Sequence, residues 1–339
     1  MEVIRGIPSV EYGDLNAGAI IVQTKASKEP LQLKARFNPA LTQFWGGKGF
    51  NAGKNGSIYT DLDYTKSNDK ETNHYQHYTR TTGTVQYTAL LGRRQNWRSN
   101  STLAFSQSND IYDMDPDFVV DSAKSTSREM NLRFSTNGII TVDKKFSNQV
   151  KYNFSSAYGI QKGYQQQFYT ADITAESYAM ENGTNQVGYL PSSYLSKMWV
   201  DGKPLSLSAK ITNQMNLFTG RLNHSILTGA DWQYDANSGS GKTFTRPPRN
   251  TSSSAYRTRP FNNIPALNQM GIFIQDQMSA ALGTARMNLA AGVRYDFIQP
   301  FDTDYQLNAL SPRVNFSLRF PEGITFRGGY GVLTPIKQE

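Results

Sequence analysis

Apolar and polar residues alternate along many separate segments of this chain. In the segment 286–298, odd-numbered positions from Met287 to Phe297 are apolar, whereas Asn288, Arg294 and Asp296 occupy even-numbered positions. Successive residues of a β-strand point to opposite faces of the sheet. The same alternation recurs in other segments, namely 31–37, 58–64, 205–211 and 314–320. The pattern predicts an antiparallel sheet with one apolar face and one polar face.

The predicted strands are long for a soluble sheet. We place thirteen of them near 31–38, 41–50, 56–66, 79–91, 97–108, 128–140, 147–160, 205–217, 222–235, 268–281, 286–298, 310–320 and 324–331. Strands of soluble sheets are most often about 5–6 residues long. A strand that crosses a membrane at a tilt needs about 9–11 residues, which most of these segments reach.

The links between the predicted strands alternate in length. Short links fall at 51–55, 92–96, 141–146, 218–221, 282–285 and 321–323, and long links at 67–78, 109–127, 161–204, 236–267 and 299–309. Only the first link, 39–40, departs from this order. Short turns at one end and long loops at the other are typical of outer-membrane barrels. The sequence therefore predicts an all-β protein, an antiparallel transmembrane β-barrel.

A second signal lies in the first 25 residues. They contain Ile4-Arg5-Gly6-Ile7-Pro8-Ser9, then Tyr12-Gly13, then Gly18-Ala19-Ile20-Ile21-Val22-Gln23-Thr24-Lys25. This order resembles the last part of the plug domain of TonB-dependent outer-membrane receptors, and the spacing from Tyr12 to Gly18 looks most like their Bacteroidetes branch. The segment Phe326-Arg327-Gly328-Gly329-Tyr330-Gly331 resembles a strand common in the middle of these barrels.

The resemblance implies a domain organisation. Residues 1–28 would be the C-terminal end of the plug domain, and residues 29–339 the N-terminal part of the barrel. Plugged transporters have about 22 strands, so about thirteen strands predict an incomplete barrel, a fragment without the TonB box and most of the plug.

The resemblance also implies a function. The parent protein would be an outer-membrane receptor of a Gram-negative cell that takes up a scarce ligand (siderophore, cobalamin, glycan or peptide) with energy delivered by TonB. Its partners would be TonB, through the missing N-terminal region, the imported small ligand, outer-membrane lipid or lipopolysaccharide, and in some systems a surface lipoprotein. The expectation is a transporter and not an enzyme, without cofactors.

In the plug end, the resemblance assigns structural roles at the interface with the barrel. Arg5 would pair with barrel carboxylates, and Tyr12 would pack between plug and wall. Gly6, Gly13 and Gly18 would provide turns or a close approach of the backbone.

Two long links are candidates for ligand binding. The link 161–204 is rich in aromatic residues, and 236–267 carries arginines without an acid, which suits an anionic ligand. The candidates are Tyr164, Phe168, Tyr169, Tyr178, Tyr189, Tyr194 and Trp199 in the first, and Arg246, Arg249, Arg257 and Arg259 in the second. A self-packed loop over the barrel mouth and contact with lipopolysaccharide are the alternatives.

Other chemistry finds little support in the sequence. The chain has no cysteine and three histidines, which is poor material for a metal site. Asp113, Asp115 and Asp117 form a weak candidate for Ca²⁺ in a predicted outer loop. The net charge of +8 is dispersed over alternating segments, which argues against a nucleic-acid site.

Two other classes of protein stay open at this stage. One is a different outer-membrane barrel, such as a passive porin. The other is a soluble β-rich protein that binds carbohydrate, which would be stable and monomeric without detergent.

Overall fold

The computed structural model describes residues 2–4, 9–13, 19–21, 26–71, 73–114, 122–144, 147–170, 177–179, 187–249, 257–300 and 306–332. Every regular element in these ranges is a β-strand or a turn. The described residues contain no helix of the length and hydrophobicity needed to cross a membrane.

Thirteen strands form one antiparallel path. They are β3 (Gln32–Asn38), β4 (Leu41–Asn51), β5 (Gly56–Lys70), β6 (Asn73–Leu91), β7 (Trp97–Tyr112), β8 (Lys124–Lys144), β9 (Ser147–Thr170), β13 (Pro204–Thr219), β14 (Leu222–Asn237), β16 (Leu267–Leu282), β17 (Ala285–Pro300), β18 (Leu307–Arg319) and β19 (Thr325–Gly331). Each strand pairs with its neighbours along the path. Within the described ranges, β3 pairs with β4 alone and β19 with β18 alone, so the sheet has two edges.

Six further strands in the described ranges lie off this path. They are β1 (Glu2–Ile4), which pairs with β2 (Ala19–Ile21), β10 (Ser177–Ala179), which pairs with β11 (Val187–Tyr189), and β12 (Ser193–Gly202), which pairs with β9 and with β15 (Gly241–Arg246). Beyond the point where β13 ends its pairing with β9, β12 takes over the same edge of β9.

The thirteen predicted strands are confirmed, but several run further than predicted. The predicted long links at 67–78 and 161–204 are wrong in part. β5 extends to Lys70 and β6 already begins at Asn73, so little of the first link remains, and β9 extends to Thr170. In these extensions polar residues occupy both faces, as in Tyr164-Gln165-Gln166-Gln167. The alternation of apolar and polar residues is lost there although the backbone pairing continues. A prediction based on this alternation alone therefore places the ends of these strands too early.

The two faces of the sheet have opposite chemistry. On the outer face, large apolar side chains are exposed along the path, for example Ile272 at 54% and Leu310 at 60%. On the inner face, charged side chains are buried, for example Arg294 and Arg313 at 2% each. This is the reverse of a soluble protein and fits an outer band that lies in lipid around a polar interior. The exposed apolar residues of the outer face include Leu33, Phe37, Phe44, Leu62, Val85, Leu103, Leu132, Phe134, Tyr158, Ile211, Met270, Ile274, Tyr295, Val314, Phe316, Phe326 and Tyr330.

Candidate functional site

A short turn from Ser9 to Gly13 lies against the inner face of β13, β14, β16, β17 and β18. The turn is closed by a hydrogen bond from the Tyr12 backbone N–H to the Ser9 carbonyl at 3.0 Å. Val10 is completely buried. A Cβ added to Gly292 would lie 3.0 Å from Val10 Cγ1, so the small residue in β17 lets the turn approach the wall.

Gln275 holds the first half of the turn. Its Oε1 accepts hydrogen bonds from Ser9 Oγ at 2.9 Å and from the Val10 N–H at 3.2 Å. Gln275 occupies β16 in the same row as Gly292 and Arg313. One amide oxygen therefore fixes both a side chain and a backbone donor of the turn.

Lys210 of β13 holds the second half. Its Nζ donates to the Glu11 carbonyl at 2.9 Å and pairs with Glu11 Oε1 at 3.0 Å. The same ammonium lies 4.7 Å from the centroid of the Tyr12 ring and 5.7 Å from that of Phe273. A lysine placed over aromatic faces while it pairs with a carboxylate is stabilised by both contacts.

Arg313 of β18 binds the backbone of the turn through hydrogen bonds. Its Nη1 donates to the carbonyls of Ser9 at 2.8 Å and of Tyr12 at 2.7 Å, and its Nη2 donates to the Gly13 carbonyl at 3.1 Å. The fixed fork of a guanidinium suits several acceptors at once. Because Arg313 binds carbonyls, the contact depends on the path of the turn more than on its side chains.

Arg294 of β17 lies on the inner face beneath this turn, with its guanidinium next to Gly13. Its Nη1 and Nη2 donate to the two carboxylate oxygens of Asp231 at 2.6 and 2.8 Å, and its Nε donates to Asp296 Oδ1 at 2.8 Å. The two carboxylates keep the guanidinium charged in spite of its burial. A Cβ on Gly13 would lie 3.0 Å from Arg294 Nε, which makes glycine the residue that fits where the turn crosses the guanidinium plane.

A cavity of about 320 Å³, lined by polar and aromatic side chains, opens beside the turn. Its lining includes Glu11, Tyr12, Asn153, Gln233 and Gln269. The cavity offers hydrogen-bonding groups on the interior side of the wall, next to the held turn.

A second anchor lies on the other side of the interior. The Ala26 N–H donates to Thr88 Oγ1 at 2.9 Å, and the Gly49 N–H donates to the Glu29 carbonyl at 3.0 Å. A Cβ on Gly49 would lie 2.0 Å from the Ser27 carbonyl oxygen. Residues 26–30 are thereby fixed to β4 and β6, whereas the turn 9–13 is fixed to β13, β16, β17 and β18.

Two of the five residues predicted for the interface with the barrel fall in this site. Tyr12 and Gly13 contact the wall, whereas Arg5, Gly6 and Gly18 lie outside the described residues. Sequence reasoning missed Lys210, Gln275, Arg294 and Arg313. The available signal was their position on the polar side of alternating strands, but many other residues share it, and only the fold brings these four together.

The aromatic residues predicted for ligand binding are divided between the two faces. In the pairing of β9 with β12, Tyr164 lies opposite Trp199, and Tyr169 lies opposite Tyr194. Tyr164, Phe168 and Trp199 share the outer face, because they keep the alternation of Tyr158. Tyr169 and Tyr194 share the inner face, with ring centroids 5.5 Å apart.

Several of the remaining candidates have local packing roles. Tyr194 is 2% exposed, and its hydroxyl donates to the Pro247 carbonyl at 2.8 Å. Arg249 donates to the Ser192 carbonyl at 3.1 Å and lies over the Tyr194 ring. Tyr178 contacts Phe244, with centroids 6.4 Å apart. Six of the candidates are exposed: Tyr189, at 72%, together with Phe168, Trp199, Arg246, Arg257 and Arg259.

The weak calcium candidate is described only at Asp113. Its carboxylate pairs with Lys124 Nζ at 3.0 Å, and this hydrogen bond lowers the pKa of Asp113. Asp115 and Asp117 lie outside the described residues. Among the residues that the structure describes, no group of three or more metal-ligating side chains is brought together.

Long antiparallel strands, an exposed apolar outer face and a polar inner face that holds a chain segment define the wall of a plugged outer-membrane barrel. A family model described as "TonB dependent receptor-like, beta-barrel" matches residues 29–332. The chain belongs to this family, whose members are outer-membrane receptors and not a class of enzymes.

Solved structures of receptors show the same fold at low sequence identity. A mutant ferric enterobactin receptor of Pseudomonas aeruginosa is 15% identical, with a TM-score of 0.55 over 97% of this chain and 47% of that one. The ferric preacinetobactin receptor of Acinetobacter baumannii is 12% identical, with a TM-score of 0.54 over 92% and 49%. The closed form of the ferric-catecholate import receptor Fiu of E. coli is 11% identical, with a TM-score of 0.56 over 97% and 54%.

The chain thus spans about half the length of these solved receptors. A search of curated proteins finds no significant match.

Proposed function

We propose that this chain is part of a receptor for the energised uptake of a scarce ligand across the outer membrane. The observation that carries the proposal is the set of hydrogen bonds that Arg313 donates to three backbone carbonyls of the turn 9–13. A passive porin needs an open interior, whereas here a chain segment is bound to the interior wall. The proposed ligand is a siderophore, a cobalamin, a glycan or a peptide, as the family resemblance implies.

The domain boundary belongs to the same proposal. Residues 1–28 form the end of the plug, and the barrel wall begins at residue 29. The match of the barrel family to residues 29–332 supports this boundary, and so does the anchoring of residues 26–30 on β4 and β6. Tyr12 and Gly13 then act at the contact between plug and wall, and Arg5, Gly6 and Gly18 are proposed for the same interface.

The partners of the whole protein follow from the family. TonB would supply the energy by pulling on the plug, and the imported ligand would enter from the outside. A surface lipoprotein remains a candidate partner. For ligand contacts we propose the candidates on the interior side or in the outer loops that are not buried, namely Tyr169, Tyr178, Tyr189, Arg249, Arg257 and Arg259.

Ion conductance through planar bilayers tests the proposal without knowledge of the ligand. The full-length receptor, extracted from outer membranes in mild detergent, should give no steady channels in potassium chloride, because the plug blocks the interior. Steady ohmic channels from correctly folded protein would support a porin instead. Protein recovered in the soluble fraction without detergent would support the soluble alternative.

A further inference from the structure

An ion pair lies on the outer face of the sheet, among the apolar side chains that face lipid. His224 Nδ1 donates to Asp276 Oδ2 at 2.7 Å. In β16, Asp276 continues the outward alternation of Ile272 and Ile274, which are both exposed. In β14, His224 is the pairing partner of Met278, the next outward residue of β16. The pair therefore joins two neighbouring strands on the side opposite the barrel interior.

Apolar side chains surround this pair along the strands and across them. In the row of Asp276, the paired outward positions are Met215, Ile226, Ala291 and Val314. A row nearer the short turns contains Leu222, Ala280, Met287 and Leu318, and a row farther from them contains Ala230, Ile272, Tyr295 and Leu310. The pair thus lies within the apolar band and not at its rim.

This position is unfavourable for charged groups. Ionisable side chains in membrane-spanning segments nearly always face the protein interior or a water-filled cavity. The side chains of His224 and Asp276 point outward instead and keep 19% and 28% of their surface exposed. Along the outer face of β13, β14, β16, β17 and β18, as far as the structure describes these strands, no other acidic or basic side chain is present. This chain alone does not remove the pair from lipid, so a further protein surface would stabilise it.

The pair also retains hydrogen-bonding capacity. Asp276 Oδ1 has no hydrogen-bond partner among the described residues, whereas the two oxygens of a carboxylate together have about four acceptor sites. An imidazolium has a donor on each ring nitrogen, and in His224 Nδ1 is the nitrogen bound to Asp276. A small rotation of the carboxylate, whose torsion is soft, exchanges its two oxygens. One donor and one acceptor therefore lie side by side on the outer face.

A surface with this arrangement is complementary to a copy of itself. When a second copy is turned about a two-fold axis, its Asp276 meets His224 of the first copy, and its His224 meets Asp276. This reciprocity is the property of an isologous interface. Small outward residues, Ala291 beside Asp276 and Ala230 in β14, let another surface approach closely, as at contacts between membrane-spanning segments. Lipid chains offer no partner for either charge.

We propose that the outer face of β13, β14, β16 and β17 is the interface with a second copy of this receptor within the membrane. His224 and Asp276 form reciprocal ion pairs across the two-fold axis. Ile226, which is next to His224 in β14 and is paired with Asp276, lies at this axis. Each copy keeps its own interior and its own bound turn 9–13, so the dimer is a property separate from uptake.

Cysteine cross-linking in native outer membranes tests where the copies meet. Residues 1–339 contain no cysteine, so Ile226→Cys in the full-length receptor adds one thiol at the proposed axis. Oxidation with copper phenanthroline should give a disulfide-linked dimer, because a disulfide needs Cα atoms within about 7 Å. Leu132→Cys is the control, since Leu132 is exposed on the outer face of β8, far along the sheet, and should give monomer.

Sedimentation in mild detergent tests the role of the ion pair. His224→Asp places two carboxylates together and should weaken association at least about tenfold, because one charge-assisted hydrogen bond contributes about that factor in affinity. The exchanged variant, His224→Asp with Asp276→His, keeps the surface self-complementary and should restore the dimer. Asn223→Asp is the matched control: it adds a carboxylate one residue away in β14, on the inner face, and should leave association unchanged.

Four results would overturn the proposal. They are the absence of a dimer through Ile226→Cys, an equal yield through Leu132→Cys, unchanged association in His224→Asp, and no recovery in the exchanged variant when heat-modifiable mobility on gels shows that it is folded. A cross-linked product that contains another protein would show that a different partner covers this face, and would equally overturn the assignment to a second copy. The conductance test of the receptor function is independent of these results.

Discussion

Arg294 and Asp231 form a two-point ion pair on the inner face, with both guanidinium Nη atoms within 2.8 Å of the two carboxylate oxygens. The arginine side chain is 2% exposed and the aspartate side chain 23%. Asp231 shares a row with Gly271 and Asp296, and Arg294 reaches this row diagonally from the next one. The pair joins β14 to β17 across β16 and provides the surface on which the turn 9–13 rests.

The first prediction concerns the removal of the carboxylate. Asp231→Asn should lower the free energy of unfolding by about 3 kcal/mol, because it leaves a buried guanidinium with Asp296 as its remaining carboxylate partner. Urea unfolding of the protein in detergent or lipid vesicles measures the change. Asp235→Asn is the control, since Asp235 is on the same face of β14 but binds the exposed Gln233. Equal effects of both variants would show that the pair has no special role.

A second prediction tests the space around the same pair. A Cβ added to Gly271 would lie 2.1 Å from Arg294 Nη2 and 2.9 Å from Asp231 Oδ1. Gly271→Ala should therefore displace the guanidinium and destabilise the protein about as much as Asp231→Asn does. Gly328→Ala is the control, because a Cβ there meets no atom within 4 Å. In the double variant with Asp231→Asn the effects should be less than additive, since both remove one interaction.

A third prediction follows from the lowered pKa of Asp113. The hydrogen bond from Lys124 favours the carboxylate, so its contribution to stability is full above the pKa of an unfolded aspartate, about 3.9, and is lost as the pH falls through the lower folded pKa. NMR titration of the Asp113 carboxyl should give a pKa that rises toward 3.9 in Lys124→Gln. An identical pKa in both proteins would contradict the contact. Because the pair is exposed, unfolding at neutral pH should change by less than about 1 kcal/mol.

The period of two in the sequence was sufficient for the thirteen strands because each crosses a band with lipid on one side and polar contacts on the other. Leu289, Val293 and Tyr295 face outward while Arg294 and Asp296 face inward, and this contrast is visible in the sequence. Beyond the band both faces meet water, and the contrast disappears. The extension of β9 to Thr170 and the pairing of β12 with β15 were therefore beyond the reach of periodicity.

The site itself was only partly predictable. The resemblance pointed to Tyr12 and Gly13, because their motif is local in sequence. Arg313 is 300 positions from Gly13 and 304 from Ser9, and its role depends on how the paired strands β13, β14, β16, β17 and β18 place it beside the turn. Tyr164 and Tyr169 lie on opposite faces because they belong to a paired strand. A prediction that places them in a loop assigns them to neither face.

The last prediction concerns the hydrogen bonds from Arg313 to the backbone of the turn 9–13. Arg313→Ala removes three charge-assisted hydrogen bonds and leaves the carbonyls of Ser9, Tyr12 and Gly13 without that donor, at about 1–3 kcal/mol for each buried group left unsatisfied. The turn should then detach from β18 more often. In planar bilayers the full-length variant should show intermittent channels that the wild type lacks.

Arg319→Ala is the matched control for this variant. Arg319 is in the same strand and exposed, so its loss removes an equal charge without touching the turn. Arg313→Lys should give an intermediate result, because an ammonium lacks the planar fork that reaches three carbonyls together. If Arg313→Ala stays as closed as the wild type, Gln275 and Lys210 hold the turn without it, and the central role of Arg313 is wrong.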